Sequence, residues 1–173
     1  MTRPLTLPFP QQIGKACTSR KPIEYSIEDA DIGDIRYLAD NLRDEDTAEL
    51  FAASGKSNWK VLQDGLSASD IVKVGLFDNI PFVIWGTVPA DTGASIWMVG
   101  TDGIVQHRRE FLRRSKALRD ELHAAHPLLW NYADVRNTAH HRWLQWLDFK
   151  FIRKVNYGYE NRPFYEFGRL AHV

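Results

Sequence analysis

Four groups of side chains in this sequence have the types and spacing that chemistry requires. Asp46 and Glu49 stand three residues apart in a helical stretch, so both carboxylates share one face. Paired acids of that kind can move protons, and a solvated helix face shows the same pattern; the solvated face is the expectation here. Ser54-Gly55-Lys56-Ser57 has the ending of a phosphate-binding loop. Leu50 occupies the place of that loop's first glycine, and no buried strand precedes it, so the motif fails. His123 and His126 share a helix face, whereas the neighbours His140 and His141 point apart by about 100°. Without a third well-spaced ligand they make no zinc site, and no metal is expected. Arg108, Arg109, Arg113, Arg114, Lys116 and Arg119 crowd one helical stretch with Glu110, Asp120 and Glu121 interleaved. That run reads first as a solvated face and second as a contact for nucleic-acid phosphate or an acidic partner.

The elements that position these groups follow from hydrophobic periodicity. Prolines 4, 8, 10 and 22 remove backbone donors and discourage helix, so residues 1–22 read as an extended arm, and one domain is expected over 23–173. Ile23 to Ile27 alternates as a strand does, and Asp29 to Asp31 offers caps for a helix carrying Ile32, Ile35, Leu38, Ala39 and Leu42. A second helix is predicted over Asp46–Ala53 with Leu50 and Phe51 inward, and a third over Ser57–Leu66 with Trp59 and Leu62 inward. The period then changes. Ile71–Phe77, the turn Asp78-Asn79 and Pro81–Val88 read as a hairpin, with a third strand over Ala94–Val99. One long helix is predicted from Ile104 to Ala125, turning Val105, Phe111, Leu112, Leu118 and Leu122 to the sheet. Strand Leu128–Val135, helix Thr138–Leu147 and a hairpin of Phe149–Tyr157 with Phe164–Leu170 complete an α+β order, in which the strands flanking the long helix are parallel or splayed neighbours.

Composition narrows the function classes. The apolar stretches fall short of the ~18–20 residues that cross a bilayer, and the N-terminus lacks the pattern of a secretion signal, so a spanning or secreted protein is not expected. Cys17 is the single cysteine, which excludes an internal disulfide and points to a reducing compartment. The 22 bases balance 22 acids, which argues against a generally nucleic-acid-binding surface. Their distribution is uneven: residues 24–70 hold twelve acids against four bases, and residues 101–173 hold thirteen bases against eight acids. Such a chain can self-associate or select charged partners, unless folding interleaves the charges.

The element order is similar to that of the GNAT (GCN5-related N-acetyltransferase) fold over about residues 23–170. Particular words narrow the resemblance: Trp97-Met98-Val99-Gly100-Thr101-Asp102, Phe111-Leu112-Arg113-Arg114-Ser115, Leu129-Trp130-Asn131-Tyr132, Arg136-Asn137 and Arg142-Trp143-Leu144. These resemble the tailed-phage family of GNAT-like proteins that includes the internal virion protein A of podophages. The resemblance implies a GNAT-like sheet, mostly antiparallel, with helices on both faces. It also implies that the strands before and after the long helix splay to admit acyl-CoA, here acetyl-CoA.

A pyrophosphate needs free backbone N–H groups converging at a helix N-terminus. The GNAT loop that supplies them reads Arg/Gln-x-x-Gly-x-Gly/Ala, and counting from Gln106 its small positions fall on Arg109 and Phe111. Gly100 and Gly103 lie one turn earlier and offer a shifted loop, with Arg108 or Arg109 meeting phosphate. Asp102 opposes this as the expected N-cap. The implied cofactor contacts are Trp97, Val99, Gly100, Thr101, Gly103, Arg108, Arg109 and Asn137; the implied acid and base candidates are Asp102 and Tyr132. Two departures put activity in doubt. Leu144 stands where the pattern has a thiol-protonating tyrosine, and Ser95–Val99 contains no carboxylate. The expected function is an acyl-CoA-dependent N-acetyltransferase with a degenerate cofactor loop, or a non-catalytic internal virion or assembly protein that retains the fold. Expected partners are phage virion proteins, a host acceptor protein or a second copy, in host cytoplasm or virion.

Overall fold

The computed structural model describes residues 24–171, so the arm expected over 1–22, with Cys17, lies outside the described residues. Strand β1 (Tyr25–Asp29) leads to Asp31, whose Oδ1 accepts the N–H groups of Gly33 at 2.7 Å and Asp34 at 3.0 Å. Asp34 Oδ2 accepts the Asp31 N–H in return, at 3.0 Å. This reciprocal cap starts α1 (Ile32–Asn41), whose spacing buries Ile35 and Leu38 completely. Helix α2 (Asp44–Ser54) stops at Gly55, which takes the left-handed conformation at φ 69° and donates its N–H to Phe51 O. Ser57 then caps α3 (Asn58–Ala68). The Ser54–Ser57 segment is therefore a helix stop followed by a helix start.

Strands β2 (Ile71–Phe77) and β3 (Ile80–Ala90) join through Asp78 and Asn79, at φ 48° and 65°, the positive pair that a two-residue hairpin demands. After β4 (Gly93–Gly100) come α4 (Gly103–Gln106), α5 (Arg108–Ala125), β5 (Leu128–Asp134), α6 (Thr138–Trp146), β6 (Lys150–Tyr157) and β7 (Arg162–Leu170). The long helix predicted from Ile104 is thus broken. His107 leaves helical geometry at φ −109° and ψ 25°, where its ring stacks on Phe77 with centroids 3.6 Å apart. Three inward assignments also fail: Val105 is 61% exposed, Leu112 38% and Phe51 46%, while Ala52 takes the buried position on α2.

The sheet order is β1-β2-β3-β4-β5-β7-β6. Neighbours are antiparallel throughout except β4 and β5, which run parallel and register at two positions, Ala94 with Leu129 and Ser95 with Trp130. Past these pairs the strands diverge, and the Asn131 side chain crosses the opening to donate to Ile96 O at 2.7 Å. Alternation along β3 builds the layers. Ile84 joins α1 and α3 on one face, whereas Val83 and Trp85 join Phe111 and Leu122 of α5 and Leu144 of α6 on the other. Among the described residues no helix is long and apolar enough to cross a membrane.

Leu129 sits fully buried where the two parallel strands still touch. Leu129→Ala is expected to lower stability by about 2–5 kcal/mol, read in urea unfolding as a lower midpoint at an unchanged slope.

Candidate functional site

Where β4 and β5 diverge, backbone groups that a neighbouring strand would pair are left over, and helix α2 takes them. Gly100 N–H donates to Asp46 Oδ2 at 2.8 Å, and Arg43 N–H donates to Gly100 O at 3.1 Å. One turn along the same helix, Glu49 Oε1 accepts the Asp134 N–H at 3.0 Å and Oε2 accepts the Asn137 side-chain amide at 2.9 Å. The i,i+3 carboxylates therefore bridge the ends of the two splayed strands. Asp46 is 5% exposed, which corrects the expectation of a solvated face. Arg43 offsets its charge with a guanidinium contact at 2.8 Å.

The two carboxyls shift in opposite directions. Burial pushes Asp46 up, against the pull of Arg43 and the Gly100 N–H. Burial also pushes on Glu49, but the His140 ring, the Asn137 amide and the Asp134 N–H together hold it below the usual carboxylate value. His140 Nδ1 lies 3.7 Å from Glu49 Oε2. At the far end of α2, the turn between β6 and β7 docks on the last helical turn: Tyr159 N–H donates to Ala53 O and Glu160 N–H to Ala52 O, both at 3.1 Å. Gly158, at φ 77°, allows that approach, since a Cβ there would stand 2.6 Å from Ala52 O.

Two cavities flank this bridge. One, about 400 Å³, is lined by Asp46, Glu49, Trp97, Tyr132 and Leu144 among others; the second, about 540 Å³, lies between α4–α5 and α6. They share Met98, His140 and Trp143 as lining. Trp97 and Tyr132 line the first cavity, with the Tyr132 ring stacked on Tyr157 at 4.1 Å and Trp97 Nε1 donating to Ser69 Oγ at 2.9 Å. Asn137 both caps α6 through the His140 N–H and serves Glu49. Sequence reasoning treated His140 only as a metal ligand and missed its pairing with Glu49, because the partner lies 91 residues away. The N-cap Asn137 was the available signal, since it places His140 at the third helical position, over the cap.

Comparison with known proteins supplies the context. The folded chain is similar to Ard1 from Thermoplasma volcanium (13% identity, 86% of this chain and 99% of that one, TM-score 0.65). It is similar also to the ribosomal-protein-S18-alanine N-acetyltransferase from Escherichia coli (13% identity, 87% and 96%, TM-score 0.63) and to a GNAT-family acetyltransferase from Bacillus anthracis (11%, 84% and 94%, TM-score 0.63). The fold is GNAT. Residues 78–155 match the family model described as "Bacteriophage T7, probable scaffold protein Gp13", so this GNAT-fold chain has a phage association. No curated protein matches it in sequence. At these identities the structural likeness establishes the fold alone.

GNAT layout implies an acetyl-CoA site, and several of the backbone donors in its place are already engaged. Asp102 takes the expected N-cap position, but it is exposed and its side chain makes no capping hydrogen bond. Instead Thr101 Oγ1 accepts the Gly103 N–H at 3.0 Å and Thr101 O accepts the Ile104 N–H at 3.1 Å, while Thr101 N–H goes to Phe82 O. The N–H groups of Thr101, Gly103 and Ile104 are therefore already paired. The two glycines serve packing: a Cβ on Gly100 would lie 2.6 Å from Phe82 O, and one on Gly103 would lie 2.7 Å from Phe82 Cβ. Val99 is buried among the α1–α3 core residues, and Arg108 and Arg109 are exposed. Arg119, read as part of a solvated basic face, is 8% exposed and bonded to Leu147 O and Asp148.

Removing the Glu49 carboxylate strands the Asp134 N–H and the Asn137 amide, so Glu49→Ala is expected to cost about 2–4 kcal/mol in urea unfolding. A carboxyl held below its unfolded value stabilises the fold above the ordinary carboxylate range and loses that contribution as pH falls through the lowered value. The stability gap between wild type and Glu49→Gln therefore closes in acid, below about pH 4. A gap that stays constant with pH would contradict the assignment.

Proposed function

We propose that this chain is a non-catalytic phage virion or assembly protein that keeps the GNAT shape. The observation that carries the reading is the bridge from α2. Asp46 and Glu49 occupy the backbone donors of Gly100 and Asp134 at the mouth of the wedge. A ligand that used those donors would have to displace buried, charge-assisted hydrogen bonds, which are about twice as strong as neutral ones. Three further features support the reading: the spent donors at the start of α4, Leu144 in place of a thiol-protonating tyrosine, and the match over 78–155 to a family described as a probable scaffold protein. In this reading the partners are phage proteins, met in host cytoplasm or in the particle.

The competing reading is an acyl-CoA-dependent N-acetyltransferase, with Tyr132 and Asp102 as acid and base candidates. It draws on the meeting of the two cavities at His140. That reading requires α2 to release Gly100.

Titration calorimetry of the native protein separates the two. No heat with acetyl-CoA at about 1 mM, a level that detects binding of ~4 kcal/mol or stronger, is the expected result. Saturable binding near 1 µM would establish the cofactor site instead. Mass spectrometry of purified virions and of assembly intermediates is expected to find the protein in at least one of them, and its absence from both overturns the assembly role.

A further inference from the structure

We propose that the groove between α4–α5 and α6 is a contact between two copies of this chain, seating the acidic start of α2 from the second copy. The inference deepens the assembly reading and rests on it, because a groove filled by cofactor could not serve. Its volume is about 540 Å³. Its rim leaves Val105 61%, Leu112 38% and Trp146 41% exposed, an apolar edge that gains from being covered.

Charge identifies the occupant. Arg108 and Arg142 line the groove, are exposed, and among the described residues form no ion pair. Lys116 adds a third cation, its ammonium 4.8 Å from the Trp146 ring centroid. By contrast, Arg113 and Arg114 are spent on Glu110, and Arg119 on Asp120 and Asp148. Among the described residues, no carboxylate pairs with Arg108 or Arg142.

Asp44 and Glu45 are the matching acids. Both are exposed, and among the described residues neither forms an ion pair. They directly follow Arg43, which itself lines the groove. A twofold axis at the groove sets the acids of each copy against the arginines of the other, a closed and self-complementary contact. The chain-wide pattern agrees: 22 bases equal 22 acids, yet the acids concentrate in residues 24–70 and the bases in 101–173. With no net charge, two copies meet without long-range repulsion. A nucleic acid or a free polyanion would meet the same arginines but would be repelled by Asp44 and Glu45.

Sedimentation velocity on three proteins tests this: wild type, Arg108→Glu with Arg142→Glu, and Asp44→Lys with Glu45→Lys. Wild type is expected to dimerise at low salt and to weaken about tenfold or more toward roughly 1 M salt, where the Debye length is about 3 Å. Each charge-reversed protein alone is expected to be monomeric, and an equimolar mixture of the two is expected to restore the dimer, since every contact then again joins opposite charges. Because all the changes lie on exposed residues, thermal unfolding is expected to stay near wild type. A wild type that remains monomeric at low salt overturns the proposal, and so does a dimer that survives in either variant alone. Acetyl-CoA added to the same samples reports separately on the underlying reading: binding without any change in the dimer refutes the empty-groove premise, whereas the mixing result concerns the contact itself.

Discussion

Two parallel strands that part company create a debt of unpaired backbone groups, each costing about 1–3 kcal/mol if buried without a partner. In this protein part of that debt is settled internally, at the strand ends. Asp46 answers the end of β4 and Glu49 answers the end of β5, three residues apart on α2, a rise of about 4.5 Å along the axis. The surrounding arrangement follows from placing two carboxylates in a buried position. Arg43 folds back on Asp46, and the Asn137 amide and His140 ring turn to Glu49, so that neither charge is left alone.

The wedge that the fold opens is here bridged at its mouth by helix α2, and at the start of α4 Thr101 pairs the N–H groups of Gly103 and Ile104. Glycines at 100 and 103 survive because Phe82 and Ile104 press on them, a packing constraint that would persist with or without a cofactor. Small residues at a helix start therefore carry no functional information until the neighbours that crowd them are known.

Much of the fold was legible because it rests on local signals. Asp78-Asn79 announced a tight hairpin, β-rich runs marked β2 to β4, and Asp31 and Ser57 marked helix starts; a parallel or splayed β4–β5 pair followed from the strand–helix–strand order around α5, and its opening from the GNAT resemblance. The break at His107 was not legible, since it comes from stacking on Phe77 thirty residues earlier. Nor were the exposures of Val105 and Leu112, which obey helical spacing but face the groove instead of the sheet. The site was the least legible part. Asp46 and Glu49 carry the same i,i+3 signature as a wet helix face, and only the position of α2 across the opening decides between the two. His140 was hidden for a similar reason: its chemistry depends on Glu49, and that pair exists only in three dimensions.

Helix α2 is held at both ends, by β4 at its start and by the Gly158–Glu160 turn at its finish. It cannot swing out of the wedge while the hairpin tip stays seated on Ala52 and Ala53. Loosening either end thus loosens the other, which makes the tip and the wedge a single unit of local unfolding. The amides of Gly100, Asp134 and Tyr159, remote in sequence, would then exchange with solvent through one shared opening event, and whatever grips the hairpin tip would also lock the wedge.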